Sequence, residues 1–199
     1  MKQDKVVLSL ALSLAMLGWA GAAEAQNPTA IQRMQLSGFG AATGDFTGLS
    51  SGKNLSITAG VDLALPPVRT WLRPTVEIRG TYPIDKGQID SQKSIMGGLR
   101  ADILLGHRIH PYADFLFGRG ETNYGSGYFF GNFDYVLTTN YVYSPGVGFD
   151  YDLSNSFAVK VDGQFQRWSS APTASGIIYS KVGTVGLVYH FNFNHHDIR

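Results

Sequence analysis

Polar and apolar residues alternate at every second position along most of this chain. Within residues 55–65, for example, Leu55 and Ile57 alternate with Ser56 and Thr58. A period of two places successive side chains on opposite faces of a β-strand, and the helical period of 3.6 fits none of these segments. The pattern predicts about eight strands: the alternation is strict at 55–65, 72–82, 95–105 and 157–168, and weaker at 34–42, 111–118, 143–151 and 179–191.

The predicted connections between these segments alternate in length. The long ones are 43–54, 83–93, 118–134 and 169–176, and the short ones are 66–70, 106–109 and 152–156. Outer-membrane barrels have short turns at the periplasmic end and long loops at the extracellular end. An even number of strands also places both chain termini on the short-turn side. The connections therefore favour an up-and-down barrel.

The composition of the polar face decides between a membrane barrel and a soluble, lipocalin-like barrel whose apolar face lines a cavity. It carries charges of both signs, namely Arg73, Arg79, Arg100 and Lys160 against Asp62, Glu77, Asp102, Asp114, Asp150 and Asp162. Glycines lie among them, at Gly60, Gly98, Gly118, Gly146, Gly148 and Gly186. Glycine is unusual on the solvated face of a strand. In a crowded lumen it leaves space for bulky charged side chains, which must pair closely when buried.

The apolar face fits a lipid environment. It carries no charge across about nine residues of each strand, the length that a tilted strand needs to cross a bilayer. Arg167 and Lys181 interrupt it only near the long loops, where lipid head groups would accept them. Aromatic residues are expected at both membrane interfaces, Trp71, Tyr151, Phe157 and Tyr189 at one and Tyr82, Phe117, Tyr143 and Tyr179 at the other. The predicted fold is a single antiparallel transmembrane β-barrel.

The N-terminal residues predict a secretory signal. Lys2 and Lys5 precede an apolar segment at 6–17, and small residues at Ala23 and Ala25 provide a cleavage pattern. The apolar segment is shorter than the roughly 20 residues of a membrane-spanning helix. We therefore expect a cleaved signal peptide at 1–25, a barrel at 26–191, a C-terminal tail at 192–199, and export to the bacterial outer membrane.

The last predicted strand carries a spaced motif of Thr184, Gly186, Tyr189 and Phe191. This motif resembles the assembly signal of bacterial outer-membrane proteins, although the same spacing recurs at 144–151. The chain as a whole resembles the small eight-stranded outer-membrane barrels of the opacity-protein and OmpA type. That resemblance implies outer-membrane lipid and lipopolysaccharide as surroundings, and periplasmic chaperones and the barrel assembly machinery as partners during biogenesis. Family members usually end on the terminal aromatic residue, whereas here residues 192–199 follow it.

Composition narrows the function classes further. The formal net charge is +1, which gives no electrostatic reason to expect a nucleic-acid partner. The 199 residues include no cysteine, so neither a disulfide framework nor a thiolate metal site is available. Hydrophobic residues make up 44% and charged residues 16%, a balance that argues against disorder.

Catalytic chemistry is not predicted. Eight strands enclose a lumen just wide enough for side chains, so the inward charges predict a salt-bridged plug, with a narrow porin as the alternative. A lipid A deacylase-like or acyltransferase-like enzyme would need a Ser–His pair on the lipid face near the extracellular interface. His107 and His110 lie at a short turn, and His190 points inward. We expect no catalytic residue, no cofactor and no metal, including at the tail cluster His195–Asp197.

The longest predicted connection is the candidate recognition element. Residues 118–134 contain five aromatic side chains, Tyr124, Tyr128, Phe129, Phe130 and Phe133. They form either a hairpin that continues above the membrane with its aromatics packed together, or an exposed patch that binds a surface ligand. The expected function is structural or a surface interaction of the adhesin type, and no particular ligand is predicted.

Overall fold

Eight antiparallel strands close into a barrel. The computed structural model describes residues 34–47, 52–85, 91–104, 108–169 and 173–191. The signal peptide predicted at 1–25, the tail at 192–199, and His107 and His195–Asp197 lie outside these residues. The strands are β1 (Gln35–Phe46), β2 (Lys53–Ala64), β3 (Leu72–Asp85), β4 (Ser91–Ile103), β5 (Ile109–Phe130), β6 (Phe133–Asp152), β7 (Phe157–Ser169) and β8 (Ile177–Phe191).

Each strand pairs with the next one along the chain, and β1 closes the barrel on β8. The closing pair is antiparallel and runs from Leu36 opposite Phe191 to Phe46 opposite Lys181. Closure leaves no open sheet edge, which is the condition for a sheet to lie in hydrocarbon. The strand number, the antiparallel pairing and the fold class predicted from the sequence are confirmed.

The two faces of the wall have opposite chemistry. Leu99 and Val147 are 64% and 65% exposed on the outside, whereas Thr58 and Glu77 are buried inside. An outer surface of this kind would be unfavourable in water, because each large apolar side chain left exposed forgoes about 1.5–3 kcal/mol of transfer free energy. In lipid it carries no such cost, so this arrangement fits a transmembrane barrel and not a soluble one.

Aromatic side chains lie on the outside near both ends. Phe157 contacts Tyr189 at the short-turn end, with ring centroids 5.2 Å apart. At the opposite end Phe117 contacts Tyr143 at 5.0 Å, and a further pair joins β7 to β8. The eight predicted girdle residues are all exposed. Such rings of amphipathic aromatics mark the two interfaces of a membrane protein.

No helix within the described part of the chain has the length and hydrophobicity to cross a bilayer.

The prediction of long connections is wrong in one respect. The segments between strands at that end are 47–52, 86–90, 131–132 and 170–176, against 65–71, 104–108 and 153–156 at the other. The two ends therefore do not differ in loop length, and long-loop end is used below only as the name of the end that carries the β5–β6 turn, with short-turn end for the opposite one. The residues assigned to the longest loop belong instead to β5 and β6, which have 22 and 20 residues and meet at a tight turn. They pair with each other up to Asn123 opposite Leu137, and again from Tyr128 opposite Tyr135 to Phe130 opposite Phe133.

Placing an arginine on the outer wall should be costly. Val161 lies on the outer face of β7 between Phe149 and Val185. Val161→Arg is expected to lower the free energy of unfolding by about 2–4 kcal/mol, the cost of a cationic side chain near the bilayer midplane. Urea unfolding in lipid vesicles measures this, with Val161→Leu as the control. Equal stability of the arginine variant and the wild type would mean that this face does not contact hydrocarbon.

Candidate functional site

A network of buried charges fills the half of the lumen nearer the short turns. Arg79 is one of its three paired cations. Its guanidinium contacts Glu77 on the same strand, and Nη2 lies 3.2 Å from Asp162 Oδ2 and 3.6 Å from Asp114 Oδ2. Alternation along β3 places Glu77 and Arg79 two positions apart on the inward face, so both reach the same space.

Arg100 is the second cation and connects several strands. Nε donates to Asp102 Oδ1 at 2.5 Å, Nη2 donates to Asp150, and Nη1 donates to Asp62 Oδ2 at 3.3 Å. The guanidinium also lies 3.7 Å from the centre of the Tyr112 ring. These contacts join β2, β4, β5 and β6 through one planar group, a geometry that suits arginine and not lysine.

Lys160 is the third cation and the most deeply buried. Its ammonium donates to Glu77 Oε2 at 3.1 Å and to Asp62 Oδ2 at 3.3 Å, and it lies 4.0 Å from the Phe39 ring centre. Both Lys160 and Glu77 are 0% exposed. Because Glu77 and Asp62 are shared with the two arginines, the three cations form one continuous network and not three separate pairs.

Neutral side chains stabilise some of the negatively charged carboxylates by donating hydrogen bonds to them. Gln164 donates to both oxygens of Asp114, at 3.0 and 2.9 Å. Thr75 Oγ1 donates to Asp102 Oδ2 at 2.5 Å. Hydrogen bonds to an ionised carboxylate are stronger than those between neutral groups. The plug can therefore hold more carboxylates than cations.

Of the predicted lumen charges, Arg73 stands apart. It points inward but is only half-buried, and within the described residues it makes no ion pair. It lines a cavity of about 270 Å³ at the short-turn end, together with Arg108 and Asp102. The other predicted lumen charges, Glu77, Arg79, Arg100, Asp102, Asp114, Asp150, Lys160 and Asp162, all belong to the buried network.

Towards the opposite end an apolar cluster lies in the lumen beside buried polar side chains such as Gln92 and Asn140. Met96, Leu116, Val142, Trp168 and Ile178 form a buried cluster together with Tyr124. Gly120 leaves room for Trp168, the largest of these side chains, because it has no side chain of its own. A Cβ atom on Gly120 would lie 2.2 Å from the Trp168 ring. The charged network is therefore followed along the lumen by a layer in which the apolar cluster packs beside polar side chains.

A ladder of threonine hydroxyls lines the wall beside these layers. Thr43 Oγ1 lies 2.7 Å from Thr58 Oγ1 and 3.3 Å from Thr184 Oγ1, and Thr58 Oγ1 lies 2.8 Å from Thr81 Oγ1. Thr184 and Gly186 of the predicted assembly motif point into the lumen here, whereas Tyr189 and Phe191 lie outside with ring centroids 5.1 Å apart. Their role as an assembly signal stays a prediction.

A serine–histidine contact lies at the rim of the 270 Å³ cavity. Ser37 Oγ is 2.8 Å from His190 Nδ1, and Asp152 Oδ2 is 2.9 Å from His110 Nε2. The link between the two pairs is longer, 3.7 Å from His190 Nε2 to Asp152 Oδ1. That separation exceeds a hydrogen bond. The Ser37–His190 contact joins β1 to β8, the two strands whose pairing closes the barrel.

Sequence reasoning missed this contact because its members are 153 positions apart. The signal that could have found it is the pairing of the first strand with the last, which places Ser37 opposite His190 once the register is known. No group of three histidine, aspartate or glutamate residues in the described ranges is arranged to hold a metal ion.

The aromatic residues predicted at 118–134 lie in the hairpin of β5 and β6, and they are not all exposed. Tyr124 is 1% exposed and belongs to the apolar lumen cluster, so its inclusion among surface residues is wrong. It points inward because β5 keeps its alternation, and its hydroxyl lies 3.0 Å from Thr138 Oγ1. Phe129, at 77% exposed, is available to a ligand. The side chains of Tyr128, Phe130 and Phe133 lie outside the described part of the structure.

An irregular stretch separates the hairpin tip from the barrel wall. Asn123 pairs with Leu137, but the next pair is Tyr128 with Tyr135, so β5 carries extra residues there. Gly125 and Gly127 adopt positive φ angles of 62° and 95°, which glycine reaches without strain. A bulge of this kind bends its strand and changes the direction of the residues beyond it.

Comparison with solved structures places the barrel among known folds. Neisserial surface protein A superposes with a TM-score of 0.51 at 13% identity, covering 79% of this chain and 97% of that protein. Ail of Yersinia pestis matches at 0.46 with 7% identity, covering 80% and 98%. The N-terminal barrel domain of Pseudomonas aeruginosa OprF matches at 0.42 with 12% identity, covering 80% and 100%.

No protein-family model matches the sequence, and no curated protein is similar to it. At such low identity the structural likeness concerns the fold alone. The fold is that of the small eight-stranded outer-membrane barrels, as the strand pattern and the terminal motif indicate.

Truncating the central cation should destabilise the barrel far more than truncating a surface one. Lys160→Ala leaves Glu77 and Asp62 buried with fewer partners, and we expect a loss of about 3–5 kcal/mol in the free energy of unfolding. Lys93→Ala is the matched control, because Lys93 pairs with Glu121 at 2.8 Å on the exposed surface. Its expected cost is about 0–1 kcal/mol. Equal costs for both, measured by urea unfolding, would contradict the role of the network.

Proposed function

We propose that this outer-membrane barrel presents the β5–β6 hairpin at the cell surface for an adhesin-type interaction. One observation carries the proposal: β5 and β6 have 22 and 20 residues, whereas the other strands have 12 to 15. These additional residues extend the β5–β6 hairpin beyond the ends of the other strands. Phe129, Val136 and Leu137 are each at least 50% exposed there. Exposed apolar side chains on a rigid scaffold are a frequent basis of recognition.

A conducting role is less well supported than a surface role. A pore needs a continuous aqueous path, but Lys160 and Glu77 occupy one level of the lumen and Leu116 and Trp168 another. All four side chains are at most 1% exposed. We therefore propose that the lumen is a packed core and not a narrow porin channel.

A lipid-modifying activity also has little support. Such an enzyme needs its base on the lipid face near the long-loop end. In the described segments the histidines are His110 and His190, and both face the cavity at the opposite end. The Ser37–His190 contact points into the lumen and away from lipid. We propose a non-enzymatic role.

Assembly should depend on the terminal aromatic residue. We propose that Phe191 is recognised by the barrel assembly machinery after delivery by periplasmic chaperones. Phe191→Ala is then expected to lower the yield of folded barrel in cells while leaving refolding in detergent unchanged, and deletion of 192–199 should leave the yield unchanged or improve it. The shift of folded barrels in gel mobility on boiling measures both. Lost assembly on deletion, with no effect of Phe191→Ala, would contradict this proposal.

Recognition by the hairpin can be tested with a paired substitution. Replacing Phe129 and Phe130 with Ser should reduce the binding of refolded protein in nanodiscs to matrix-coated plates about tenfold or more, as expected when central aromatic contacts are removed. Leu153→Ser is the control, because Leu153 is 57% exposed in a short turn at the opposite end.

The gel-mobility shift distinguishes the outcomes of this test. Reduced binding with an intact fold supports recognition by the tip. Unchanged binding with an intact fold removes the hairpin from recognition, and loss of the folded form would instead assign these aromatics a packing role.

A further inference from the structure

A groove of about 440 Å³ runs along the outer wall of β3, β4 and β5 on the long-loop side. Gly80 forms part of its floor, opposite Ile95 in the β3–β4 pairing. Because Gly80 has no side chain, the wall is depressed between the exposed side chains of Tyr82 and Ile78. The groove thus presents an apolar channel to lipid at the level of the aromatic girdle.

Two cationic side chains, Arg119 and Lys93, line this groove. Arg119 follows Phe117 on the outer face of β5 and so lies one step closer to the long-loop end. Its Nη2 donates to Tyr141 Oη at 2.9 Å, and its guanidinium lies 4.9 Å from the centre of that ring. These contacts hold the guanidinium in place and leave its other N–H groups for a ligand.

Arg119 lacks a carboxylate partner. Among the described residues no carboxylate lies within ion-pair distance of it, and the nearby Glu121 is engaged with Lys93 at 2.8 Å. A guanidinium next to a hydrocarbon layer interacts strongly with an anion, since the low dielectric strengthens charge-assisted hydrogen bonds. The electrostatics of the groove therefore favour a negatively charged head group.

Other cationic side chains without an ion-pair partner lie around the barrel at this level. Lys53, Arg167 and Lys181 are exposed on the outer wall on the long-loop side, and none makes an ion pair within the described residues. Lys53 lies 6.0 Å from the Phe46 ring centre, and Arg167 lies 5.9 Å from that of Tyr143. Cationic side chains at this interface suit lipids whose head groups carry a net negative charge. The groove is where an apolar channel adjoins this cationic belt.

We propose that the groove is a stoichiometric site for one phosphorylated, acylated glycolipid of the lipid A class. An acyl chain lies over Gly80 and beside Ile95, and a phosphate accepts hydrogen bonds from Arg119, whose charge is not balanced by the neighbouring Lys93–Glu121 pair. Arginine's planar fork suits bidentate binding of phosphate. The inference rests on the outer-membrane placement of the barrel and is independent of recognition by the hairpin.

Two variants separate the two parts of the site. Arg119→Gln removes the charge that would hold the phosphate, with Arg69→Gln at the short-turn end as its control. Gly80→Leu fills the channel, and a Cβ there meets only Ser94 O at 3.8 Å, so the fold should tolerate it. Gly163→Leu is the matched control, because it lies on the outer face of β7 with open space around it.

The test is native mass spectrometry of the full barrel refolded in detergent and titrated with lipid A, with dephosphorylated lipid A, or with a phosphatidylethanolamine. We expect one lipid A per barrel, retained about tenfold more strongly than either other lipid. Arg119→Gln should remove that preference, and Gly80→Leu should remove retention of all three, while both controls behave as wild type. The gel-mobility shift confirms that each variant is folded.

Three results would overturn the proposal. Equal retention of the dephosphorylated lipid would assign no role to phosphate. Equal loss in the control variants would indicate a non-specific lipid layer, and the absence of any stoichiometric adduct on the wild type would remove the site. None of these results bears on the hairpin, because the plate-binding assay uses a different surface of the molecule.

Discussion

The structure depends on how the charges enclosed by the barrel wall are neutralised. An eight-stranded wall leaves a lumen that side chains must fill, and alternation sends the polar face of every strand into it. An isolated buried charge would be prohibitively unfavourable, so the cations must meet carboxylates from other strands. Arg79 meets Asp114 and Asp162 of other strands. Arg100 and Lys160 share Asp62 of β2, and Lys160 also meets Glu77 of β3. The network thus connects strands that are not neighbours in the barrel.

Filling the lumen in this way leaves the outer surface and the two ends available for function. The wall can then be apolar and in contact with lipid, and we propose that specific contacts are made by the cationic belt, the groove at Gly80 and the β5–β6 hairpin. The barrel acts as a rigid support that holds these features at fixed heights in the membrane. A rigid support suits recognition, because a binding surface that is already ordered loses little entropy when it engages a partner.

The period-two pattern was sufficient to predict the strand number, the fold class and which face of each strand is enclosed, since burial of one face is a local property. Contacts across the barrel were not predictable in the same way. The pairing of Ser37 with His190 depends on closure of the first strand on the last, and the place of Tyr124 in the apolar lumen layer depends on how far β5 continues. Arg73 was grouped with the plug because position alone does not reveal whether a partner lies within reach.

Conductance measured across planar bilayers that contain the refolded barrel tests the central claim, that the lumen is a packed core. We propose that the charged layer around Lys160 and the cluster around Trp168 leave no continuous aqueous path, since Lys160 and Trp168 are at most 1% exposed. The account therefore predicts no current steps above the bare bilayer in salt solution. Repeated steps of uniform size, from preparations in which the gel-mobility shift confirms the folded form, would contradict it.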